Sequence, residues 1–349
     1  MKNKINPVSI YLMAQLLLLF VLFAANLFIG SVDLPLEEVW RVLSGRVTNE
    51  ESPAIHIVMQ YRLPQTITAV LAGSSLAVAG LLMQTLFRNP LADPSILGIS
   101  SGASLGVAVL LLVSGSLIGS NSVADGWVSQ VGLIFAAFMG ATTVLGLISW
   151  LGKILSNIVS LLIAGIMIAY VAGSLVGIAK YFSQKEDLQA FVLWGLGSFS
   201  NVGLSQLPFF ALVSITGILM ALLLIKPLNL LLLGEGYAAN LGINVKRVQM
   251  FVLVIAGFLT AIVTAYAGPI AFIGLAVPHI ARNIFRTANH GLLIPAVILT
   301  GSSLALFCNL IARLPGFDTS LPVNAVTSLI GAPIVIWVIV RRKHLFTNE

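Results

Sequence analysis

Four histidines, twelve carboxylates and a single cysteine are the groups with which this chain of 349 residues could hold a metal or move a proton. Their spacing supports neither. His56, His279, His290 and His344 form no H-x-x-x-H pair and no His–carboxylate pair at ligand spacing, so metal-centred and hydrolytic chemistry lack their first requirement. His279 reads as a helix-end or interfacial histidine and His290 as a loop residue. Cys308 stands alone in an apolar run, where packing is its role. The nearest string to a phosphate loop, G-L-I-S-W-L-G-K-I at 146–154, has the wrong spacing and no Ser or Thr after Lys153. The sequence therefore predicts no enzyme, no metal and no cofactor, and any ATP chemistry belongs to another chain. Carboxylates inside a membrane mark the ion path of coupled carriers. Here all can be placed in loops or at surfaces, Asp93 being the nearest exception. That disfavours an ion-coupled carrier without removing it, because backbone carbonyls also bind ions.

The elements that must position these groups are apolar. At 58% hydrophobic and 9% charged residues, against about 25% charged in ordinary soluble domains, the composition excludes a soluble globular chain. Uncharged stretches such as 63–87, 126–152, 154–179 and 287–312 exceed the roughly 20 residues a helix needs to cross the hydrocarbon core. A β-barrel would alternate in shorter segments. The net charge of +6 follows from topology and gives no reason to invoke nucleic acid. Lys2 and Lys4 precede a run longer than a signal-peptide core, with no small-x-small cleavage site, which predicts a retained first span.

Within this apolar frame the stretch R-N-P-L-A-D-P-S-I-L-G-I-S-S-G-A-S-L-G at 88–106 stands apart. Pro90 and Pro94 lack a backbone donor and push Asn89 and Asp93 out of the helical region. Asp93 or Ser95 is then placed to cap a helix beginning near Pro94, and Gly98 offers a hinge. A second break is marked by Gly268 and Pro269, since 248–281 would reach about 51 Å as one helix, too long for a single crossing. A short surface helix is expected near 193–203, and an amphipathic one in 231–249 that closes at Gly242.

These breaks divide the chain into ten spans, near 8–29, 63–87, 96–113, 128–150, 154–179, 207–225, 248–267, 269–280, 292–311 and 323–340. The second is rich in small residues, which let helices approach closely in lipid, and is expected at the centre of the bundle. Ten spans gather Lys2, Lys4, Arg88, Lys153, Lys226, Lys246, Arg247, Arg282, Arg286, Arg341, Arg342 and Lys343 on one side. Only Asp93, Glu235 and Glu349 oppose them there. This positive-inside pattern places both termini in the cytoplasm. The expected fold is all-α: one polytopic transmembrane domain over 1–349, with one re-entrant-like, Pro/Gly-broken hairpin per half.

Five strings carry a resemblance. They are Y-R-L-P-Q at 61–65, A-G-L-L-M-Q-T-L-F-R-N-P-L-A-D-P-S-I-L-G-I-S-S-G-A at 79–103 and L-G-E-G-Y-A-A-N-L-G-I-N-V at 233–245. G-P-I-A-F-I-G-L-A-V-P-H-I-A-R at 268–282 and L-P-V-N-A-V-T-S-L-I-G-A-P at 321–333 complete the set. With these in order along most of its length, the chain resembles the FecCD-type permeases of ATP-binding-cassette importers for iron–siderophore complexes, haem and cobalamin. The resemblance implies a bacterial cell-membrane subunit that pairs with a second permease around a translocation path. Two cytoplasmic ATPase subunits drive it, and an extracytoplasmic binding protein delivers the cargo. Glu235, Ala238, Ala239, Leu241 and Gly242 match the segment that couples to the ATPase. Gly242 is expected to permit a tight bend or close approach, and Ala239 to lie on a packed face. Arg62 and Arg313 match outer-surface arginines that meet acidic residues of the binding protein, and Gln65 stands where many relatives carry one more docking arginine. Asn89, Pro90, Asp93, Pro94, Gly98, Gly268 and Pro269 are the candidate path and hinge residues. A ferric siderophore is the expected cargo, with haem or cobalamin as the alternative.

Overall fold

The computed structural model describes residues 7–46, 52–113, 126–155, 157–313 and 321–346. Lys2, Lys4, Glu349 and the acidic Glu50, Glu51 and Asp125 lie outside them. The helices, in order, are α1 (Pro7–Phe28), α2 (Leu36–Leu43), α3 (Leu63–Leu86), α4 (Ile99–Ala108), α5 (Gly126–Ile154), α6 (Ile158–Phe182) and α7 (Lys185–Gly195). They continue with α8 (Leu207–Leu223), α9 (Ile225–Leu232), α10 (Glu235–Asn240), α11 (Val245–Ala267), α12 (Ile273–Phe285), α13 (His290–Ala312) and α14 (Val323–Phe346). Among the described residues no strand occurs.

Helix α3 is the axis of the molecule. Every residue except Leu63, Ile67 and Val70 is buried, and α13, α11, α12 and α8 pack around it. Its A-G-S-S-L-A-V-A-G run explains how so many helices reach it. A Cβ on Gly73 would lie 2.6 Å from Ala305 Cβ and overlap the Gly301 backbone. One on Gly80 would overlap the carbonyl of Gly274. The backbones touch directly at these crossings, which is how small residues drive packing where lipid removes the hydrophobic incentive. The same device joins α4 to α5, where Gly102 faces Gly140 and Gly106 faces Ala136. Helix α3 continues outward through a π-helical turn, His56–Arg62, and a short helical turn, Pro53–Ile55.

Among the described residues, six helices can cross a membrane by length and composition: those ending at Phe28, Leu86, Ile154, Phe182, Ala267 and Ala312. Helices α8 and α9, bent by 50° at Leu224, make a seventh if taken as one span. The apolar helices Ile99–Val113 and Val323–Trp337 are shorter, and α12 has only 13 residues. Each expected span thus has a helix at its place, while the count of ten exceeds what length alone assigns. The surface helix expected near 193–203 lies earlier, as α7, and a 3-10 turn at Phe199–Asn201 follows it.

Candidate functional site

At the end of α8 the chain turns through α9 into the six-residue helix α10, bracketed by Gly234 (φ 115°) and Gly242 (φ 85°). Both angles lie where a Cβ is strained, so glycine is required at each end. The helix closes with Gly242 N–H donating to Ala239 O at 2.9 Å and Ile243 N–H to Ala238 O at 3.1 Å. Ala238 is fully buried. Ala239 is exposed, so the packed position expected for it belongs to its neighbour: adjacent helical residues point about 100° apart, and only one can face the bundle. Leu233, Tyr237 and Leu241 are each more than half exposed. With Ala239 and Gly242 they present an apolar surface beside Glu235, whose Oε1 lies 3.6 Å from Arg88 Nη2 and accepts from Gln249 Nε2 at 3.2 Å.

Arg88 belongs to the first broken segment. It sits at φ 46°, ending the turn that closes α3. Asp93 caps a 3-10 turn, Pro94–Leu97, by accepting from Ser95 N–H at 2.8 Å, and Gly98 (φ 79°) then starts α4. Burial pushes the Asp93 carboxyl above the usual carboxylate range, against the lowering effect of its bonds from Ser95. The segment leans on α12, where His279 Nε2 lies 2.7 Å from Pro90 O and Arg282 Nη1 donates to Gln84 Oε1. A cavity of about 420 Å³ remains here, walled by Gln84, Thr85, Arg88, Leu231 and Arg282.

The second break, 268–272, runs without helix from Gly268 (φ 75°) to Phe272 (φ 69°). Protein groups tie this break and the helix end before it, as befits non-helical chain within a membrane protein. Ala267 O accepts from Ser198 N–H at 2.8 Å and Asn324 Oδ1 accepts from Ala271 N–H at 3.0 Å. Gly197 (φ 69°) packs against Gly268, where a Cβ would come within 2.6 Å of Trp194 O.

Arg62 and Arg313 lie side by side over Gly30, where a Cβ would come within 2.7 Å of Arg313 Nη2 and 3.0 Å of Arg62 Nε. Both are buried, at 2% and 7% exposure. Arg62 Nη1 donates to Leu27 O and Phe28 O, both at 2.9 Å, and Nη2 donates to Val32 O. Burial, and then the neighbouring Arg62, push Arg313 down to about 10. Its Nη1 has no hydrogen-bond partner among the described residues. The expectation that these arginines project toward a partner is not met in this conformation. The last carbonyls of a helix lack intrahelical donors, and Arg62 serves those of α1.

The FecCD transport family model matches residues 17–341. The chain belongs to this family. The haemin transport system permease HmuU of Yersinia pestis is 34% identical over 344 residues, covering 99% of both chains. The vitamin B12 import permease BtuC of Klebsiella pneumoniae is 35% identical over 335 residues, covering 95% of this chain and 94% of that one. A solved metal-chelate type ABC transporter in an inward-facing conformation superposes with a TM-score of 0.81 at 27% identity, over 95% of this chain and 99% of that chain. This FecCD chain is accordingly a multi-pass permease of an ABC importer in the bacterial cell membrane.

Several polar residues of the FecCD chain whose partners the sequence does not show are its internal ties. Gln65 is a buried amide whose Nε2 donates to Asn309 Oδ1 at 3.0 Å. Asn309 Nδ2 donates in turn to Asn26 Oδ1 at 2.8 Å, so α3, α13 and α1 are joined by one amide chain. His279 lies inside α12 and not at a helix end, and His290 begins α13 with 1% exposure and does not stand in a loop. The available signal was an amide inside an apolar run, which in lipid must find a partner on another helix.

Proposed function

We propose that this permease passes haem, with cobalamin as the second reading, both metal ions held in a tetrapyrrole-type ring. Supporting it are full-length similarities to permeases named for haemin and vitamin B12 and the likeness to a metal-chelate transporter. The two permease relatives are named for haemin and vitamin B12, and neither for a ferric siderophore. The carrying observation is the match over nearly the whole chain. The single test is uptake of labelled haemin, cyanocobalamin and a ferric siderophore by cells deprived of their own permease and supplied with this one, its ATPase and its binding protein. Haemin uptake is expected; siderophore uptake alone would overturn the assignment.

The working unit is two permeases, two cytoplasmic ATPase subunits and an extracytoplasmic binding protein, surrounded by membrane lipid. ATP hydrolysis occurs on the ATPase subunits. The surface of Glu235, Ala239, Leu241 and Gly242, held by buried Ala238, docks on the ATPase. The segment of Asn89, Pro90, Asp93, Pro94 and Gly98, and the Gly268–Pro269 break, act as hinges beside the path. Arg62 and Arg313 shape the outer rim from beneath and do not form its contact surface. Ten crossings with both termini cytoplasmic remain the topology. Its shortest span, α12 at roughly 20 Å, relies on the non-helical 268–272 to reach across a hydrocarbon core of about 30 Å.

A further inference from the structure

We infer that Asn229, His290 and Thr85 form a positioning chain that fixes α9, the carrier of the docking segment, to the inner end of the central helix α3. The inference rests on the reading of α10 and its flanks as the ATPase-docking surface.

Asn229 lies on α9, six residues before Glu235. Its Oδ1 accepts from the backbone N–H of His290 at 2.8 Å, and the ring Nδ1 lies 3.0 Å from the same oxygen. Its Nδ2 donates to Asn289 Oδ1 at 2.9 Å, an oxygen that also accepts from Gly291 N–H. The amide is therefore oriented from both sides: its oxygen is held by a backbone donor and its nitrogen by an acceptor. Facing that oxygen, Nδ1 must carry the ring proton. In the neutral ring Nε2 is then an acceptor, 2.8 Å from Thr85 Oγ1. The threonine hydroxyl also lies 2.9 Å from Leu81 O, and its single proton goes to Nε2, which has no other donor, while Leu81 O keeps its place in the helical ladder. One orientation of every group satisfies the chain, from α9 through the first residue of α13 to the last turn of α3.

Burial stiffens the inner half of this link, where His290 is 1% exposed and Thr85 8% and a hydrogen bond is stronger than one in water; Asn229 itself is half-buried. Leu228 and Leu231, on the same short helix, are buried beside it. Only Leu233 and Gly234 separate α9 from α10, so a push on the docking surface has little slack before it reaches Asn229. The other tie between docking segment and α3, Arg88 with Glu235, is about half exposed at 3.6 Å. A solvated ion pair of that length holds little. The directional hydrogen-bond chain, more than the ion pair, makes α9 and α3 move together.

The test uses the permease–ATPase complex in lipid nanodiscs, with hydrogen exchange followed before and after trapping with ADP and vanadate. In the unaltered complex, exchange should change both in 233–242 and in 80–88. Thr85→Val and Asn229→Leu, which keep shape and remove the polar links, should retain the change in 233–242. They should lose at least two-thirds of the change in 80–88. Thr85→Ser, which keeps the hydroxyl, should behave as the unaltered chain; a general loss of stability would move all segments and would not be rescued this way. Changes of full size at 80–88 in Thr85→Val or Asn229→Leu would overturn the inference. If Thr85→Val fails to insert, Asn229→Leu decides. Absence of any change at 233–242 in the unaltered complex would overturn the docking reading and the inference together. A change there with unaffected variants would overturn the inference alone.

Discussion

Arg62 donates to three carbonyls at the outer end of α1, and all three would lose their donor if the guanidinium were removed. Bonds from charged donors are worth more than neutral ones, and a buried acceptor left bare costs about 1–3 kcal/mol. Arg62→Ala should therefore lower stability by on the order of 2–3 kcal/mol, read as a lower melting temperature of the purified protein. Arg62→Lys should recover only part, because a single ammonium does not reproduce the planar fork. An unchanged melting temperature with a changed salt dependence of binding-protein association would return Arg62 to a docking role. Asn309→Leu should also destabilise, by about 1 kcal/mol per lost interhelical bond. Combining it with Gln65→Leu should cost less than the two changes separately, because they share one bond. These side chains were legible by type and not by direction. Charge at a span's outer end reads equally as a fork toward a partner or as a clasp on the neighbouring helix, and only the position of the α1 carbonyls decides.

Gly80 and Gly242 show two uses of glycine at the level of the element. At Gly80 the requirement is contact: any side chain overlaps the Gly274 backbone and pushes α12 from α3. Gly80→Val should abolish a folded, inserted product, measured as loss of a monodisperse chromatographic peak. At Gly242 the requirement is conformation and surface, since φ is 85° and a Cβ there meets open space. Gly242→Glu and the exposed Ala239→Arg should leave the protein inserted and abolish ATPase stimulation, because a charge pressed into an apolar interface is not desolvated cheaply. Ala238→Arg should instead disrupt the helix itself. Normal stimulation by both Gly242→Glu and Ala239→Arg would remove this surface from the coupling role. The breaks at Pro90, Pro94, Gly268 and Pro269 could be read from sequence because proline and glycine act locally. Ala238 and Ala239 could not be told apart, because a six-residue helix of small residues has no periodic signal to set its phase.

Across the molecule, apolar length marked where a helix would lie for each expected span, and small residues placed α3 at the centre. The relations between distant elements were not legible: Asn324 closing the second break, Asn229 reaching His290, and the Gly73–Gly301 crossing all join positions far apart in sequence. For topology, tags at both termini should be reached only from the cytoplasm and a tag near Asp125 only from outside; termini on opposite sides would remove the ten-span arrangement. The central claim is an importer permease driven by a separate ATPase through the surface of α10. Its most direct measurement is ATP-driven uptake of labelled haemin into proteoliposomes holding the permease–ATPase complex, with haemin-loaded binding protein outside and ATP supplied to the ATPase side. Accumulation should require ATP and the binding protein and disappear in Gly242→Glu. Accumulation that persists without the ATPase subunits, driven by an ion gradient alone, would contradict the central claim.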